Sequence, residues 1–284
     1  IGNHTIPVPI VQGGMGIGIS LSKLSSAVAN AGGIGIIATV GLGLIHKGSG
    51  TKNRPNNVEA LRNEIRRARE LTNGVLGVNI MTVLTDFADI VKASIEEKID
   101  IIFSGAGLPL DLPKYLSPSS QTKLVPIVSS GRAASLIATK WKNNYDYIPD
   151  AFVVEGPKAG GHLGFHNDAL KEKVVELKKL VRETLEVTQE LTRKYRKKIP
   201  VIAAGGIMSG KDIFDIMKSG ASAVQLGSRF IATTECDASD EFKQAIIHSK
   251  KNQIKIIKSP VGLPGRAIEN DFLKAAERDE KKPK

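Results

Sequence analysis

Cysteine is nearly absent: Cys236 stands alone among 284 residues. One thiol excludes an internal disulfide and any zinc or iron–sulfur site built on several cysteines. Long apolar runs are missing too. No stretch approaches the ~18 residues that a membrane-spanning helix needs, so the sequence predicts a soluble protein with no membrane partner. It starts at Ile1 with no apolar signal-type segment behind it, which points to the cytoplasm. Aromatic residues make up only 5%, and no basic stripe interleaves with them into a base-stacking platform. Acidic residues are the minority charge, 29 against 40 basic, for a net +11. The excess sits mainly in 171–198 and 250–284, each with ten basic and five acidic residues. A solvated helix face and a charged tail account for it, so no nucleic-acid partner is expected. What such a surface can attract is an anionic ligand or an acidic protein.

Glycine is what the chain has in plenty, 28 residues, above the average of ~7%. The glycines cluster in QGGMGIG (12–18), AGGIGIIA (31–38), SGAG (104–107), EGPKAGGHLG (155–164) and AAGGIMSG (203–210). Clusters that follow apolar runs mark turns where something must approach the backbone closely. The runs themselves give eight strand candidates: 6–11, 34–39, 75–80, 99–103, 125–128, 151–154, 201–204 and 223–226. Most are unbroken Val, Ile and Ala, as parallel strands buried on both faces require. Helical periodicity fills the gaps at 21–31, 58–71, 85–97, 132–141, 170–198 and 211–219. In the longest of these, Val174, Leu177, Val181, Leu185 and Leu191 form one stripe. Residues 108–120 contain three prolines and cannot be a regular helix throughout. The alternation predicts an α/β chain folded as a (β/α)8 TIM barrel, with an open doubly wound sheet as the alternative. The barrel is expected over 1–232, with a helical insertion at 165–198. Residues 233–284 are expected to form a C-terminal helical segment and charged tail packed on it.

Residues 205–211 fit G-x-x-x-x-G-K between a strand and a helix, but Asp212 stands where a nucleotide P-loop needs a magnesium-binding hydroxyl. A glycine turn at a helix N-terminus still offers N–H groups to a phosphate. QLGS (225–228) ends the last strand, and barrels often place a phosphate site in their seventh and eighth loops. AGGIGIIA contains part of a dinucleotide fingerprint, yet its glycines precede the strand instead of following it. EGPKAGGHLG is the sharpest signal: Glu155 ends strand six and His162 follows on a glycine-rich loop, placed to titrate near neutrality. His166 lies four residues on without carboxylate spacing, so no metal site is expected. His4, His46, His248 and Cys236 have no supporting context.

Together QGGMG, LGVNIM, EGPKAGGHLG, IPVIAAGGI and AVQLGSRF resemble the nitronate monooxygenase family, formerly called 2-nitropropane dioxygenases. The same motifs are similar to flavin-dependent enoyl-acyl-carrier-protein reductases, and the resemblance spans residues 6–232. It implies FMN held non-covalently over the barrel mouth. Carried over by position, Gly13, Gly14 and Met15 line the flavin, and Asn79 and Glu155 bond its ring or ribityl edge. Gly205, Gly206, Gly227 and Ser228 cradle the phosphate with Gln225 beside it, and His162 matches the catalytic histidine. QGGMG lacks the proline that many nitronate monooxygenases carry before the methionine, a lean toward the reductases.

Two reactions follow from the resemblance. In one, electrons pass from a small nitronate substrate to FMN and on to oxygen, with His162 removing the α-proton of a neutral nitroalkane. In the other, NADH or NADPH is the donor and an enoyl thioester on an acyl carrier protein is reduced. A homodimer is the further partner considered. A flavin- or phosphate-binding module without catalysis is the reading of another class, and His162 argues against it.

Overall fold

The computed structural model describes residues 1–46, 50–51, 54–165, 176–259 and 262–278. Its centre is eight short strands: β1 (Ile10–Gln12), β2 (Gly35–Ala38), β3 (Leu76–Met81), β4 (Ile101–Gly105), β5 (Lys123–Val128), β6 (Phe152–Glu155), β7 (Val201–Ala204) and β8 (Ala223–Leu226). They pair in parallel in the order β1-β8-β7-β6-β5-β4-β3-β2. A parallel bridge between Val11 and Ile34 closes the ring. Two backbone bonds make that seam, from the amides of Gln12 and Ile34 to the carbonyls of Ile34 and Ile10, both 3.0 Å. The buried Gln12 side chain reinforces it, accepting from the Ile36 amide at 2.9 Å. An open sheet would leave β1 and β2 at opposite edges, so the fold is the (β/α)8 barrel.

The unbroken apolar runs have a direct cause. Along β4, Ile101 and Phe103 join the cluster inside the barrel, whereas Ile102 packs in the layer between strands and helices. Both faces of the strand are therefore dry. The first strand is shorter than the predicted 6–11 because Pro7 and Pro9 have no N–H to give a ladder.

The helical layer comprises α1 (Ser22–Asn30), α2 (Asn57–Leu71), α3 (Phe87–Glu96), α4 (Gly131–Tyr145), α5 (Leu177–Tyr195) and α6 (Gly210–Lys218). After β4 the proline-rich stretch makes one 3-10 turn, Leu112–Tyr115. In α5 the buried face is Leu180, Val181, Thr184 and Thr188. Val174, His166 and the first part of the expected insertion fall in 166–175, outside the described residues. No helix among the described residues is long and apolar enough to cross a membrane.

Among the described residues, the stretch from 233 is helical at α7 (Asp240–Ile247) and again at Asp271–Glu277, with a hairpin between them that the sequence does not predict. The hairpin is antiparallel, of Ile254–Lys258 and Pro264–Ile268. The second hairpin strand also pairs with Gly161–His162, so the C-terminal stretch reaches the histidine loop. Its start is tied to the barrel by Asp237, whose carboxylate accepts from the amides of Leu21 and Leu24 at 2.9 and 3.0 Å, at the start of α1.

Candidate active site

Each residue that the resemblance carries over lies in the carboxyl half of a barrel strand or in the loop that leaves it. The β7 and β8 turns come first. Ala204 pairs with Gln225 across these strands, so Gly206 and Gly227, each two residues on, leave the barrel at one level. Gly205 and Gly206 have φ of +98° and +78°, the region that glycine enters without strain. A Cβ at Gly206 would lie 2.7 Å from Cβ of Lys158, and one at Gly205 would lie 3.0 Å from the Ala159 amide nitrogen. The amides of Gly206, Ile207, Gly227 and Ser228 donate to no backbone carbonyl among the described residues. Four such N–H groups on adjacent turns suit a bound anion.

The helix behind the first turn contributes less than its motif suggests. The Asp212 carboxylate accepts from the amides of Met208 and Ser209 at 3.1 and 2.9 Å, and Ser209 Oγ accepts from the Asp212 amide at 3.2 Å. Thus α6 is capped by its own aspartate, at the position where a P-loop keeps its magnesium ligand. The open amides sit in the turn before the helix.

The β1 turn packs against these strands. The Gly13 amide donates to the Leu226 carbonyl at 2.7 Å. A Cβ on Gly13 would stand 3.7 Å from Gln225 Nε2, and one on Gly14 would collide with Asn79 Cβ at 2.3 Å. Met15 Sδ lies 3.4 Å from where a Gly227 Cβ would be. Gly13, Gly14, Met15, Asn79, Gln225 and Gly227 are thus brought together. Beneath them Gln12 Nε2 donates to Ser20 Oγ at 2.8 Å, and that hydroxyl accepts from the Met15 amide at 3.0 Å. Neither Gln12 nor Ser20 stands out as a site residue in the sequence. A single buried amide and hydroxyl leave no spacing signal, although Gln12 opens the QGGMG motif.

Glu155 ends β6 opposite Ala204. It is partly exposed, yet burial of its carboxyl raises the pKa to about 7. The loop that follows presses on Gly205 through Gly156 and Ala159 and carries His162 three residues further on. His162 is half-buried, and burial lowers its pKa below the usual 6.5. No carboxylate stands among the causes of either shift, so burial alone displaces both groups.

The family description "Nitronate monooxygenase" matches residues 1–100 and 87–284. The chain belongs to the nitronate monooxygenase family. A probable nitronate monooxygenase of Staphylococcus saprophyticus is 28% identical over 314 residues, taking in 98% of this chain and 80% of that one. A probable nitronate monooxygenase of Staphylococcus aureus is 29% identical over 304 residues, 95% of this chain and 77% of that one. Among solved structures, FabK from Thermotoga maritima is similar at a TM-score of 0.73 and 31% identity, over 97% of this chain and 75% of that chain. Nitroalkane oxidase from Streptomyces ansochromogenes has a TM-score of 0.74 at 24% identity, over 95% and 79%, a likeness of fold. Membership of the nitronate monooxygenase family makes the chain an enzyme, an oxidoreductase of flavin-dependent type.

Proposed function

We propose that the chain holds FMN at the carboxyl face of the barrel and, in the cytoplasm, oxidises alkyl nitronates or nitroalkanes with dioxygen. The observation that carries this is the pair of level glycine turns with four amides that lack backbone partners. They make one phosphate cradle, formed by Gly205, Gly206, Gly227 and Ser228 with Gln225 beside it. The only dinucleotide-like glycine run, AGGIGIIA, runs into β2 and forms no glycine turn after the strand, so it cannot serve a second phosphate. Gly13, Gly14 and Met15 would line the ring, with Asn79 and Glu155 at its polar edge. When bound, FMN supplies an electron sink for the substrate and a route from there to dioxygen.

The protein's own part is proton transfer and orientation. Burial keeps the His162 imidazole neutral at pH 7, which leaves one ring nitrogen with a lone pair. That nitrogen takes the α-proton of a neutral nitroalkane, leaving the nitronate anion and an imidazolium. General base help of this kind is worth about 10²–10⁴ in rate. Glu155, with its carboxyl raised to about 7, is present in both protonation states at neutral pH. It can therefore donate or accept a hydrogen bond at the ring edge.

The 31% identity to FabK favours a second reading, enoyl reduction with NADH or NADPH as donor. There His162 would orient an enoyl thioester or deliver a proton to it, and the net charge of +11 would suit an acidic acyl carrier protein. Anaerobic mixing separates the two. The account expects a nitronate to bleach the flavin absorbance and oxygen to restore it. Bleaching by NADH or NADPH alone, with recovery on adding an enoyl thioester, would replace the first reading by the second. No bleaching by any donor would remove both.

A further inference from the structure

His162 does not stand on the barrel wall. After β6 the chain turns at 156–159, where the Ala159 amide donates to the Gly156 carbonyl at 3.1 Å and Pro157 presets the second turn residue. It then runs as Gly161–His162 against the C-terminal hairpin, with His162 opposite Gly265 and Gly161 opposite Arg266. The Leu163 amide continues the ladder, donating to the Pro264 carbonyl at 2.8 Å. Arg266 reaches back over the same loop. Its Nη1 donates to the Pro157 carbonyl at 2.9 Å and to the Ala159 carbonyl. Burial lowers the guanidinium's pKa, and no carboxylate among the described residues offsets this. The Arg266 charge is thus directed at two loop carbonyls and no acid.

We infer that Arg266, on the C-terminal hairpin, is a positioning residue that holds loop 157–163 and so sets His162 for proton removal. The inference rests on the reading of His162 as base. Two features make the arginine more than a packing contact. Hydrogen bonds from a charged donor are about twice as strong as neutral ones, and here one nitrogen spans two carbonyls of a turn. The strand on the other side is only two residues long, and so short a pairing is marginal without further support. The turn before His162 and the ladder after it are therefore gripped by one hairpin strand, and releasing the turn leaves the histidine held from one side.

The test compares flavin-loaded R266M and R266K with wild type by amide hydrogen exchange and by turnover of a neutral nitroalkane and its preformed nitronate. In R266M the Leu163 amide should exchange about tenfold faster or more, with nitroalkane kcat falling by a similar factor. KM and flavin content should hold, and the nitronate rate should stay within about threefold of wild type, because that substrate has already lost its proton. R266K keeps a charged donor and should restore the protection and most of kcat. If R266M does not fold, R266Q takes its place, with faster exchange at Leu163 and loss of kcat moving together and R266K again restoring both. Wild-type exchange and rate in R266M would overturn the inference. So would loss of flavin and of both activities together, without rescue by lysine. An H162A variant that keeps nitroalkane turnover, while R266M still frees Leu163, would reject the base assignment and leave the hold on the loop standing.

Discussion

The two faces of the barrel treat charge in opposite ways. At the amino-terminal face, Asp100 accepts from the Leu76 amide at 2.8 Å and from Arg69 at 2.6 Å. Asp150 accepts from the Leu124 amide at 2.9 Å and from the Tyr147 hydroxyl, with Lys197 Nζ also at 2.9 Å. Each aspartate stands just before a strand and ties it to the start of a neighbour. At the carboxyl face, Glu155 and His162 meet no charge partner among the described residues, and burial displaces their pKa values in opposite directions. Charges satisfied by several donors set strand register. Groups left to burial alone are pushed toward their uncharged forms, a protonated acid and a neutral imidazole, which is the state proton transfer uses.

That contrast can be broken from either side. The largest effect is expected at His162. His162→Ala should cut nitroalkane turnover by about 10²–10⁴, leaving the melting temperature and flavin content near wild type. Oxidation of preformed nitronate should suffer much less. Because the folded-state pKa of His162 is lowered, the wild-type nitroalkane rate should fall only as pH drops through a value below 6.5. An equal loss on both substrates would make His162 an orienting group.

Next comes the phosphate cradle. Ser228 is exposed, so Ser228→Asp should leave the fold intact. It sets a carboxylate against the proposed phosphate, and flavin titration should show affinity lower by about 100-fold or more. Unchanged affinity would place the phosphate elsewhere. The opposite face gives the opposite outcome. Asp150→Ala removes the acceptor of a half-buried ion pair and should lower unfolding stability by about 3 kcal/mol in urea, with flavin content and kinetics unchanged.

The smallest effect concerns Glu155. Its folded-state pKa of about 7 lies above the ordinary 4.5, so the folded chain holds the proton more tightly than the unfolded one. Stability should therefore fall as pH rises from about 4.5 and level off above about 7. Glu155→Gln should flatten that slope in flavin-free protein. The gain over wild type at pH 8 should be about 2 kcal/mol, discounted for the partial exposure of the side chain. Parallel pH–stability curves would show that the carboxyl is not displaced.

The barrel was legible because its cause is local. Each strand is an apolar run buried on both faces, and glycine or proline punctuates its ends. Local apolar patterning overstates a strand where backbone chemistry opposes it, as at Pro7 and Pro9, which shorten β1. The C-terminal hairpin is not legible in the sequence because Ile254, Ile256 and Ile257 lie among lysines, and the charge count suggests a solvated tail. The glycine turns stood out by their clustering, and His162 by its place among them. Gln12, Ser20 and Arg266 did not, since their partners lie on other strands or far along the chain. The P-loop spacing at 205–211 could be set aside in the sequence because Asp212 is not a hydroxyl, but its capping of α6 is visible only in its hydrogen bonds to the Met208 and Ser209 amides.

The central claim is that the carboxyl face holds one flavin phosphate on two glycine turns. Mass analysis of the chromophore released from the purified protein tests it most directly. The account predicts FMN, at one per chain. FAD, or no flavin even after reconstitution, would contradict it.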